Sequence, residues 1–327
     1  MKKILVIQTA SIGDVILATP VIEKLHRFYP DISIDLLVKT GMEGLFRNHP
    51  FLHELIIWNK QHRKFRNFFR ILWKVRRNHY DAVINIQRFA LTGLLTAFSG
   101  AGNRTGFSKN PFSKLFTHAV PHIIKEGMHE IDRNLSLIRS ITDESTEKPK
   151  LYTTPSDQAK TALYKTPGYF TLSPASLWFT KQYPAEKWIE FISYIPPQRK
   201  VYLMGSAEDA ALCEELIRKS GNKMAVNLAG QLSLLESASL MKDAKMNFTN
   251  DSAPLHLASA VNAPVTVIYC STIPGFGFGP LSEDSSVVET SVPLDCRPCG
   301  LHGYKACPEK HFRCATTIDV NQLNARL

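Results

Sequence analysis

The fold is decided by the apolar stretch KILVIQ, from Lys3 to Gln8, because a continuous apolar run is typical of a parallel strand buried on both faces. Apolar residues then recur at helical spacing, which predicts a helix from Asp14 to Tyr29. Strand-like and helical patterns keep alternating through the first half, with strands predicted at Ile32–Val38, Glu54–Trp58 and Asp81–Ile86. This alternation indicates βαβ units, and so a parallel sheet with right-handed crossovers.

A second series of the same kind begins at Tyr169–Ala175. It follows a helix predicted at Glu130–Ile141 and a polar segment with three prolines, Asp143–Gly168, which is the predicted linker. Later strands are predicted within KVYLM, MAVNLA, MNFTN and PVTVIY, and helices near Ala185–Ile195, Ala207–Ser220, Leu234–Asp243 and Ala253–Val261. We therefore expect an α/β chain of two doubly wound, Rossmann-like domains, residues 1–155 and 156–327, that place their loops on a shared cleft.

The composition is that of a globular protein that binds an anionic partner. The 327 residues carry a formal net charge of +10, and 44% of them are hydrophobic. No apolar run reaches the ~18–20 residues that would span a bilayer, and polar residues interrupt the N-terminal run in a way that does not fit a signal peptide. We therefore expect a cytoplasmic chain with reduced cysteines. Nucleic acid is the least favoured partner, because no recognition motif for it accompanies the charge.

Much of the positive charge lies in one segment, Lys60–Arg77, which contains eight basic residues and no acidic one. Aromatic residues are interleaved with the basic ones. At helical spacing an apolar stripe lies beside a basic face, and it consists of Phe65, Phe68 or Phe69, Leu72 and Val75. Two interpretations stay open here: a solvated surface helix, or a helix that faces a membrane or an acidic acceptor.

The motif Ser11-Ile12-Gly13-Asp14 follows the first strand directly and opens the first helix. Gly13 is expected to let the backbone turn tightly, and the helix start offers unpaired N–H groups. Asp14 has two interpretations. It either complements the helix dipole, which contributes about 0.3–1 kcal/mol, or is a carboxylate held at the cleft to accept a proton. The G-x-G-x-x-G fingerprint of dinucleotide-binding proteins is absent from the sequence.

A second motif, residues 250–258, lies between a predicted strand and a predicted helix. Asp251 or Ser252 can cap the helix and Pro254 suits its first turn, so that backbone N–H groups would point at an anion such as a diphosphate. The alternative is a well-capped structural helix with His256 in the core.

The residues that follow complete a pattern, namely Asn262-Ala263-Pro264, the apolar run Val265–Tyr269, and Cys270-Ser271-Thr272. Together with the motif before them, they resemble the donor-binding motif of the lipopolysaccharide heptosyltransferases, glycosyltransferase family nine. Three further segments are similar to motifs of this family, in the same order: Ser11-x-Gly13-Asp14 with Pro20, Gly100-x-x-x-Arg104-x-Gly106-Phe107, and Lys181-Gln182-Tyr183-Pro184-x-x-x-Trp188. The resemblance covers most of the chain.

The resemblance implies a GT-B fold and an inverting, metal-independent transfer of a heptose from ADP-heptose to the inner core of lipopolysaccharide. Asp14 would be the general base that deprotonates the acceptor hydroxyl, and Lys181 would neutralise the leaving diphosphate. The C-terminal domain would bind the nucleotide-diphospho-sugar donor, and the N-terminal domain the acceptor. Because that acceptor is a phosphorylated, lipid-linked sugar, the enzyme would lie peripherally on the inner face of the inner membrane.

The implied donor contacts are the hydroxyls of Ser176 and Thr180 and the residues of the second motif: Asp251, Ser252, Ala253, Leu255 and His256. Glu208 or Asp209 would accept hydrogen bonds from the ribose, and the choice between them stays open; an acidic first helical turn explains both residues equally well. The implied acceptor contacts are near predicted strand ends: Ser11, Gly13, Gln87, Arg88 and Arg104, with His129 and Glu130 as further candidates.

Two residues depart from the family pattern, because Ala253 and Cys270 stand where the family has glycine. Each adds a Cβ near the implied diphosphate, which would narrow the site unless φ stays negative there. Two other functions therefore stay open. One is a transferase or epimerase of the same fold that uses another nucleotide sugar, and the other is a catalytically silent donor-binding module.

Four cysteines lie close together in the C-terminal segment, with His302 and His311 among them: Cys296, Cys299, Cys307 and Cys314. Four such residues can form a tetrahedral zinc site, and reduced cysteines that pack a loop are the favoured alternative. We expect no catalytic metal and no required cofactor, with a structural zinc as the one cofactor that this segment could hold.

Overall fold

Two parallel sheets of six strands each form the framework of the protein. The computed structural model describes residues 1–60 and 63–327, and the chain divides into two units, Met1–Tyr152 and Thr153–Leu327. Each unit contains one of the sheets, and helices connect its strands.

In the first unit the strands lie in the order β3-β2-β1-β4-β5-β6, and all of them are parallel. They are β1 (Lys3–Ile7), β2 (Ser33–Lys39), β3 (Leu52–Trp58), β4 (Ala82–Asn85), β5 (Asn103–Phe107) and β6 (His118–Val120). The helices are α1 (Ile12–Ile16), α2 (Thr19–Phe28), α3 (Lys64–Arg77), α4 (Ala90–Ala97) and α5 (Glu130–Ser136).

The second unit repeats this topology with the order β12-β11-β10-β7-β8-β9. Its strands are β7 (Phe170–Ser173), β8 (Val201–Leu203), β9 (Ala225–Asn227), β10 (Met246–Asn250), β11 (Val265–Tyr269) and β12 (Ser285–Glu289). Its helices are α6 (Pro155–Thr161), α7 (Ala185–Tyr194), α8 (Ala210–Ser220), α9 (Leu234–Lys242), α10 (Ala253–Ala260), α11 (Arg313–Thr316) and α12 (Asn321–Asn324). Within the described ranges, no helix combines the length and the apolar character needed to cross a membrane.

The strand order reverses beside the first strand of each sheet. In the first unit, the strands that follow β1 are added on one side of it, and β4 and the strands after it are added on the other side. The second unit does the same at β7 and β10. Such a reversal opens a crevice at the carboxyl ends of the strands, which is where ligands bind in doubly wound folds. Two doubly wound α/β units of this kind confirm the predicted fold class.

The central strands are enclosed on both faces, as their apolar sequences predict. Ile4, Leu5, Val6 and Ile7 of β1 are completely buried. The sequence does not predict β5, β6 or β12, because β5 and β12 carry polar residues and β6 has only three residues. Patterns this short or this polar do not distinguish a strand from a loop.

The predicted helix from Asp14 to Tyr29 is two helices, α1 and α2, with a break at Leu17 and Ala18. Pro20 causes the break, because proline has no N–H to continue the helical hydrogen bonds of α1. The hydroxyl of Thr19 instead donates to the carbonyl of Ile16, at 2.7 Å. Asp14 therefore lies on a helix of only five residues.

The predicted linker contains a helix, α6, rather than irregular chain throughout. Thr154 and Asp157 form a capping box at its start, and Pro155 occupies its first turn. Lys160 forms an ion pair of 3.0 Å with Glu236 of α9, so α6 packs as part of the second unit. Pro155, one of the three prolines that suggested a linker, starts this helix, because an N–H at that position would have no intrahelical partner.

The basic segment forms α3, although residues 61 and 62 of its predicted range lie outside the described residues. Phe68 and Val75 are buried, and the Phe68 ring centroid lies 6.1 Å from that of Trp58. Phe65 and Phe69 are exposed on the outer side of the helix. The predicted single apolar stripe is therefore wrong, because it combined residues from a buried and an exposed side.

Helix α5 supports the turn that follows Asp14. Asn134 is completely buried, and its side-chain amide donates to the carbonyl of Leu17 at 2.9 Å. Leu17 ends α1, so this hydrogen bond joins α5 to the short helix that carries Asp14. The position of Asp14 thus depends on a contact between residues far apart in sequence.

We expect Asn134→Ala to lower the free energy of unfolding by about 1–3 kcal/mol, because it removes the donor to a buried carbonyl. Urea unfolding monitored by circular dichroism measures the change. Asn321→Ala, which removes an exposed amide from α12, should change stability by less than about 0.5 kcal/mol. Equal effects of the two substitutions would contradict the supporting role of Asn134.

Candidate functional site

A lysine and an aspartate meet at the point where the second sheet reverses its strand order. Lys181 ends a 3₁₀ turn after β7, and Asp251 follows β10 directly. Lys181 Nζ lies 2.6 Å from Asp251 Oδ2, and the hydroxyl of Thr272 donates to the same oxygen at 2.6 Å. The two charged side chains are only 14% and 7% exposed. The sequence prediction singled out both charged residues and missed their pairing.

A buried asparagine holds the loops around this pair. The side-chain amide of Asn250, the last residue of β10, donates to the carbonyl of Pro174 at 2.7 Å. The side-chain oxygen of Asn250, Oδ1, accepts a hydrogen bond from the N–H of Tyr183 at 3.0 Å. Asn250 therefore connects the end of β10 to the segment that carries Lys181. Asn250 is also the first residue of the motif 250–258, whose spacing did not indicate these contacts.

The start of α10 presents two backbone donors next to Asp251. Ser252 is extended and Ala253 is the first helical residue. Within the described part of the chain, their N–H groups donate no hydrogen bond. The predicted N–H donor at Leu255 is instead used within the turn, where it donates to the Ser252 carbonyl at 3.1 Å. His256 is buried, and its ring packs edge-on toward Phe278.

The two departures from the family pattern are accommodated without left-handed backbone. Ala253 has helical backbone at the start of α10, and Cys270 is not among the residues with positive φ. Cys270 is completely buried in the core of the second unit, and burial raises the pKa of its thiol. A Cβ at either position therefore carries no backbone strain.

Thr180 is bonded within the protein, although a direct phosphate contact was predicted for it. Thr180 is only 1% exposed. Its hydroxyl oxygen accepts hydrogen bonds from the Tyr304 N–H at 2.7 Å and from the Ser271 hydroxyl at 3.0 Å. These bonds give Thr180 a positioning role. Ser176 is half-buried, and its carbonyl accepts the side-chain amide of Gln182 at 2.6 Å.

The cysteine-containing C-terminal segment packs directly on this region. Arg297 donates to the carbonyls of Cys270 and Thr272 at 2.8 and 3.0 Å and pairs with Glu289 at 2.6 Å. Gly303 has a φ of +75°, and a Cβ there would lie 3.0 Å from the hydroxyl oxygen of Thr180. Only glycine combines this backbone with so close an approach.

The four cysteines lie near one another in this segment, but they do not form a recognisable metal site. Across residues 1–60 and 63–327, no cluster of three or more His, Cys, Asp or Glu side chains is arranged to hold a metal ion. Cys299 donates to the carbonyl of Cys296 at 3.0 Å, and Cys296 Sγ lies 3.9 Å from His311 Nε2. Burial raises the pKa of Cys314 to about 12. Cys307 is half-buried.

The loop after β8 distinguishes the two acids that the sequence left as alternatives. Asp209 Oδ2 accepts the N–H and the hydroxyl of Ser206, both at 2.8 Å, so Asp209 caps its own helical turn. Glu208 is exposed, and the hydrogen bonds from its own N–H and from Ser206 lower the pKa of its carboxyl. Glu208 is the more exposed of the two acids.

In the first unit, Asp14 has the same local geometry as Asp209. Its Oδ2 accepts the N–H of Ser11 at 3.1 Å and also the hydroxyl of Ser11. Ser11 is extended, with φ −73° and ψ 171°, and it makes the change of direction after β1. Gly13 lies inside α1, so the predicted tight turn at Gly13 is wrong.

Two of the predicted acceptor residues serve the fold. The side-chain amide of Gln87 donates to Gln8 Oε1, which joins the ends of β1 and β4. Arg104 is the second residue of β5, near its amino end, so its predicted place at the ligand-binding end is wrong. Its guanidinium donates to the carbonyls of Leu115 and Ala101 at 3.2 and 2.5 Å. Sequence spacing did not indicate which end of β5 carries Arg104.

A cluster of charged residues lies near Asp14 and includes two further candidates. Buried Arg133 pairs with Glu130 at 2.7 Å. Burial raises the pKa of Glu130; Arg133 and Arg88 oppose this rise, and Asp14 adds to it. Asp14 and Arg88 therefore lie close enough to Glu130 to act on its charge. His129 caps α5, because its Nδ1 accepts the N–H of Ile131 at 3.2 Å.

Arg88 is the half-exposed cation of this cluster. It follows β4, and no ion pair joins it to another residue of the described ranges. Nearby His122 is buried, and its pKa falls to about 4, first because of burial and then because of Arg88, Arg133 and Lys109. Burial and the neighbouring cations therefore disfavour a proton on His122.

We expect the pKa of His122 to rise in Arg88→Gln, because one of the cations that oppose its protonation is removed. Proton NMR titration of the His122 ring measures this pKa. The pKa of His122 is lower in the folded protein than in the unfolded chain, where it is about 6.5. The stability that neutral His122 contributes to the folded protein is therefore lost as pH falls from about 6.5 toward about 4. Arg104→Gln should leave the pKa unchanged, and an equal rise in both variants would contradict this arrangement.

A family model described as glycosyltransferase family 9 (heptosyltransferase) matches residues 68–305. Lipopolysaccharide heptosyltransferase 3 of Escherichia coli K12 is 29% identical over 281 residues, which cover 80% of this chain and 80% of that protein.

Two solved structures are similar over nearly the whole chain. The glycosyl transferase family 9 protein from Veillonella parvula DSM 2008 has a TM-score of 0.88 at 21% identity, covering 99% of this chain and 96% of that one. The E. coli ADP-heptose lipopolysaccharide heptosyltransferase II has a TM-score of 0.79 at 21% identity, covering 100% and 98%. These likenesses confirm the expected GT-B fold.

Proposed function

The chain belongs to glycosyltransferase family 9, the heptosyltransferases, and from this premise we propose that it transfers a heptose from ADP-heptose to the inner core of lipopolysaccharide. It is a glycosyltransferase of lipopolysaccharide biosynthesis. The donor proposal draws on the E. coli ADP-heptose lipopolysaccharide heptosyltransferase II, whose fold this chain shares.

The observation that carries the proposal is the buried cation beside the start of α10. Lys181 is held next to Asp251, and the N–H groups of Ser252 and Ala253, which donate to no acceptor among the described residues, follow immediately in the chain. A lysine together with helix-start N–H groups is the arrangement that binds a diphosphate. As the glycosidic bond breaks, negative charge develops on the diphosphate, and Lys181 would stabilise it there. Exposed Glu208 is the proposed partner of the ribose hydroxyls.

The proposed reaction is a single inverting displacement. Asp14 accepts the proton of the acceptor hydroxyl while that oxygen attacks the anomeric carbon of the heptose. The bond from this carbon to the diphosphate oxygen breaks, and the nucleoside diphosphate leaves with the bonding electrons. Only one oxygen of Asp14 is engaged with Ser11 in the described contacts, so its second oxygen is the proposed proton acceptor.

On the acceptor side, Arg88 is the proposed contact for a phosphate of the acceptor. Its location beside Asp14 in the charged cluster supports this role. Because the proposed acceptor is anchored in a lipid, we further propose that the enzyme works peripherally at the cytoplasmic face of the inner membrane.

We propose that transfer needs no metal ion, since Lys181 supplies positive charge at the diphosphate. For the cysteine-containing segment we propose a packing role, supported by the bonds from Arg297 to the ends of β11 and β12 and by the burial of Cys314. A structural zinc remains the alternative for this segment, and zinc analysis of protein purified without chelator distinguishes the two.

We expect Asp14→Asn to reduce the rate of heptose transfer about 10²–10⁴-fold, because the amide cannot accept the proton. Affinity for ADP, measured by calorimetry, should stay unchanged, because the second unit binds the donor. The rate is measured by mass spectrometry of the acceptor product.

Asp209→Asn is the matched control, since Asp209 makes the same capping contacts with Ser206 that Asp14 makes with Ser11. It should lose stability comparably and retain most of the transfer rate. If the two variants lose activity to the same extent, Asp14 acts as a helix cap and not as the base.

Lys181→Met should lower the transfer rate by about 10²-fold or more and weaken ADP binding, because the diphosphate loses its cation. Lys187→Met, on the adjacent helix α7, removes a lysine that makes only a 3.6 Å pair with Glu190 and should leave both properties intact. Undiminished ADP affinity in Lys181→Met would remove this lysine from the diphosphate site.

A further inference from the structure

Helix α3 leaves three large aromatic side chains in water. Phe65, Phe69 and Trp73 are 72%, 64% and 61% exposed, while Phe68 and Val75 on the opposite side pack into the core. The three exposed residues are spaced four apart, so they form one line along the outer side of the helix. Aromatic side chains concentrated in this way mark a surface that is covered by a partner.

A line of basic residues runs beside the aromatic line. Arg66 and Arg70 each follow an exposed aromatic residue by one position, and neither forms an ion pair with residues of the described ranges. The guanidinium of Arg77 lies 5.1 Å from the ring centre of Trp73. Lys74 differs from these, because it pairs with Glu54 at 2.5 Å. The outer side of α3 is thus both aromatic and positively charged.

The aromatic surface continues onto the end of α4. Arg76 donates to the carbonyl of Phe98 at 3.1 Å, and Phe98 itself is 49% exposed. The inner side of α3 stays fixed, because Phe68 packs against Trp58 at the end of β3. The helix can therefore present its outer side without leaving the sheet.

We propose that the outer side of α3 docks the protein on an anionic phospholipid surface. Aromatic rings favour the interface between headgroups and acyl chains, and arginines beside them are attracted to lipid phosphates. An anionic surface complements both the local arginines and the net charge of +10. A protein partner would not need this run of uncompensated arginines. This inference does not rest on heptose transfer, because it requires only phospholipid.

The test is sedimentation of the full chain with vesicles that contain no sugar acceptor. We expect binding to vesicles of phosphatidylglycerol and phosphatidylcholine, little binding to phosphatidylcholine alone, and weakening at high salt. Two double variants, Phe69→Ser with Trp73→Ser and Arg66→Glu with Arg70→Glu, should each reduce binding at least about tenfold. Thermal unfolding should show that both remain folded, since all four residues are exposed.

Matched controls alter exposed residues of the second unit. Leu163→Ser with Tyr194→Ser removes comparable exposed apolar surface, and Arg218→Glu with Lys219→Glu makes the same change in charge. Both should bind vesicles like the wild type. Equal losses in the α3 variants and the controls would overturn the proposal, as would equal binding to neutral and anionic vesicles.

Other occupants of this surface give different results. If α3 joins two copies of the chain, sedimentation velocity will show a concentration-dependent dimer that Phe69→Ser with Trp73→Ser abolishes, without vesicle binding. If α3 binds nucleic acid, a short single-stranded DNA will bind tightly and vesicles will not. Either outcome would overturn the proposal. Transfer to a soluble acceptor analogue, measured separately, reports on the proposed function alone.

Discussion

In both sheets every strand runs in the same direction, so the carboxyl ends of all strands meet at one edge of each sheet. The reversal of strand order beside β1 and β7 then leaves a crevice at that edge. Asp14 and Lys181 follow β1 and β7, and Arg88 and Asp251 follow β4 and β10. The candidate residues of each unit lie where they do because the parallel order and its reversal bring these four loops to the crevices.

The same capping arrangement, a serine with an aspartate three residues later, occurs once in each unit with different neighbours. Ser11 with Asp14, and Ser206 with Asp209, each form a capping box at the first helical turn after a strand. Capping by itself would explain either aspartate. What distinguishes Asp14 is the charged cluster around it, which includes Glu130 from α5 and Arg88 after β4. A similar local structure therefore has different electrostatic surroundings in the two units.

Buried polar side chains hold the loops of the site in place. Asn250 binds the segments before and after Lys181, and Gln8 with Gln87 joins the two central strands of the first unit. A buried polar group is costly unless it is hydrogen-bonded, so these bonds restrict the loops to one arrangement. The C-terminal segment adds to this restraint through Arg297. These buried side chains and Arg297 thus support the loops that carry Lys181 and Asp251 and the ends of β1 and β4.

The sequence by itself determined the doubly wound α/β class and the location of Asp14 and Asp251 at helix starts, because apolar runs and helix starts are local patterns. Lys181 was indicated by the resemblance to the family motif instead. The sequence did not determine that Arg104 lies at the amino end of β5, or that Thr180 is bonded to Tyr304. Only the tertiary structure decided these roles, and with them which aromatic residues of α3 face outward. The physical reason is that burial and hydrogen bonding depend on partners far away in the chain, which local spacing does not encode.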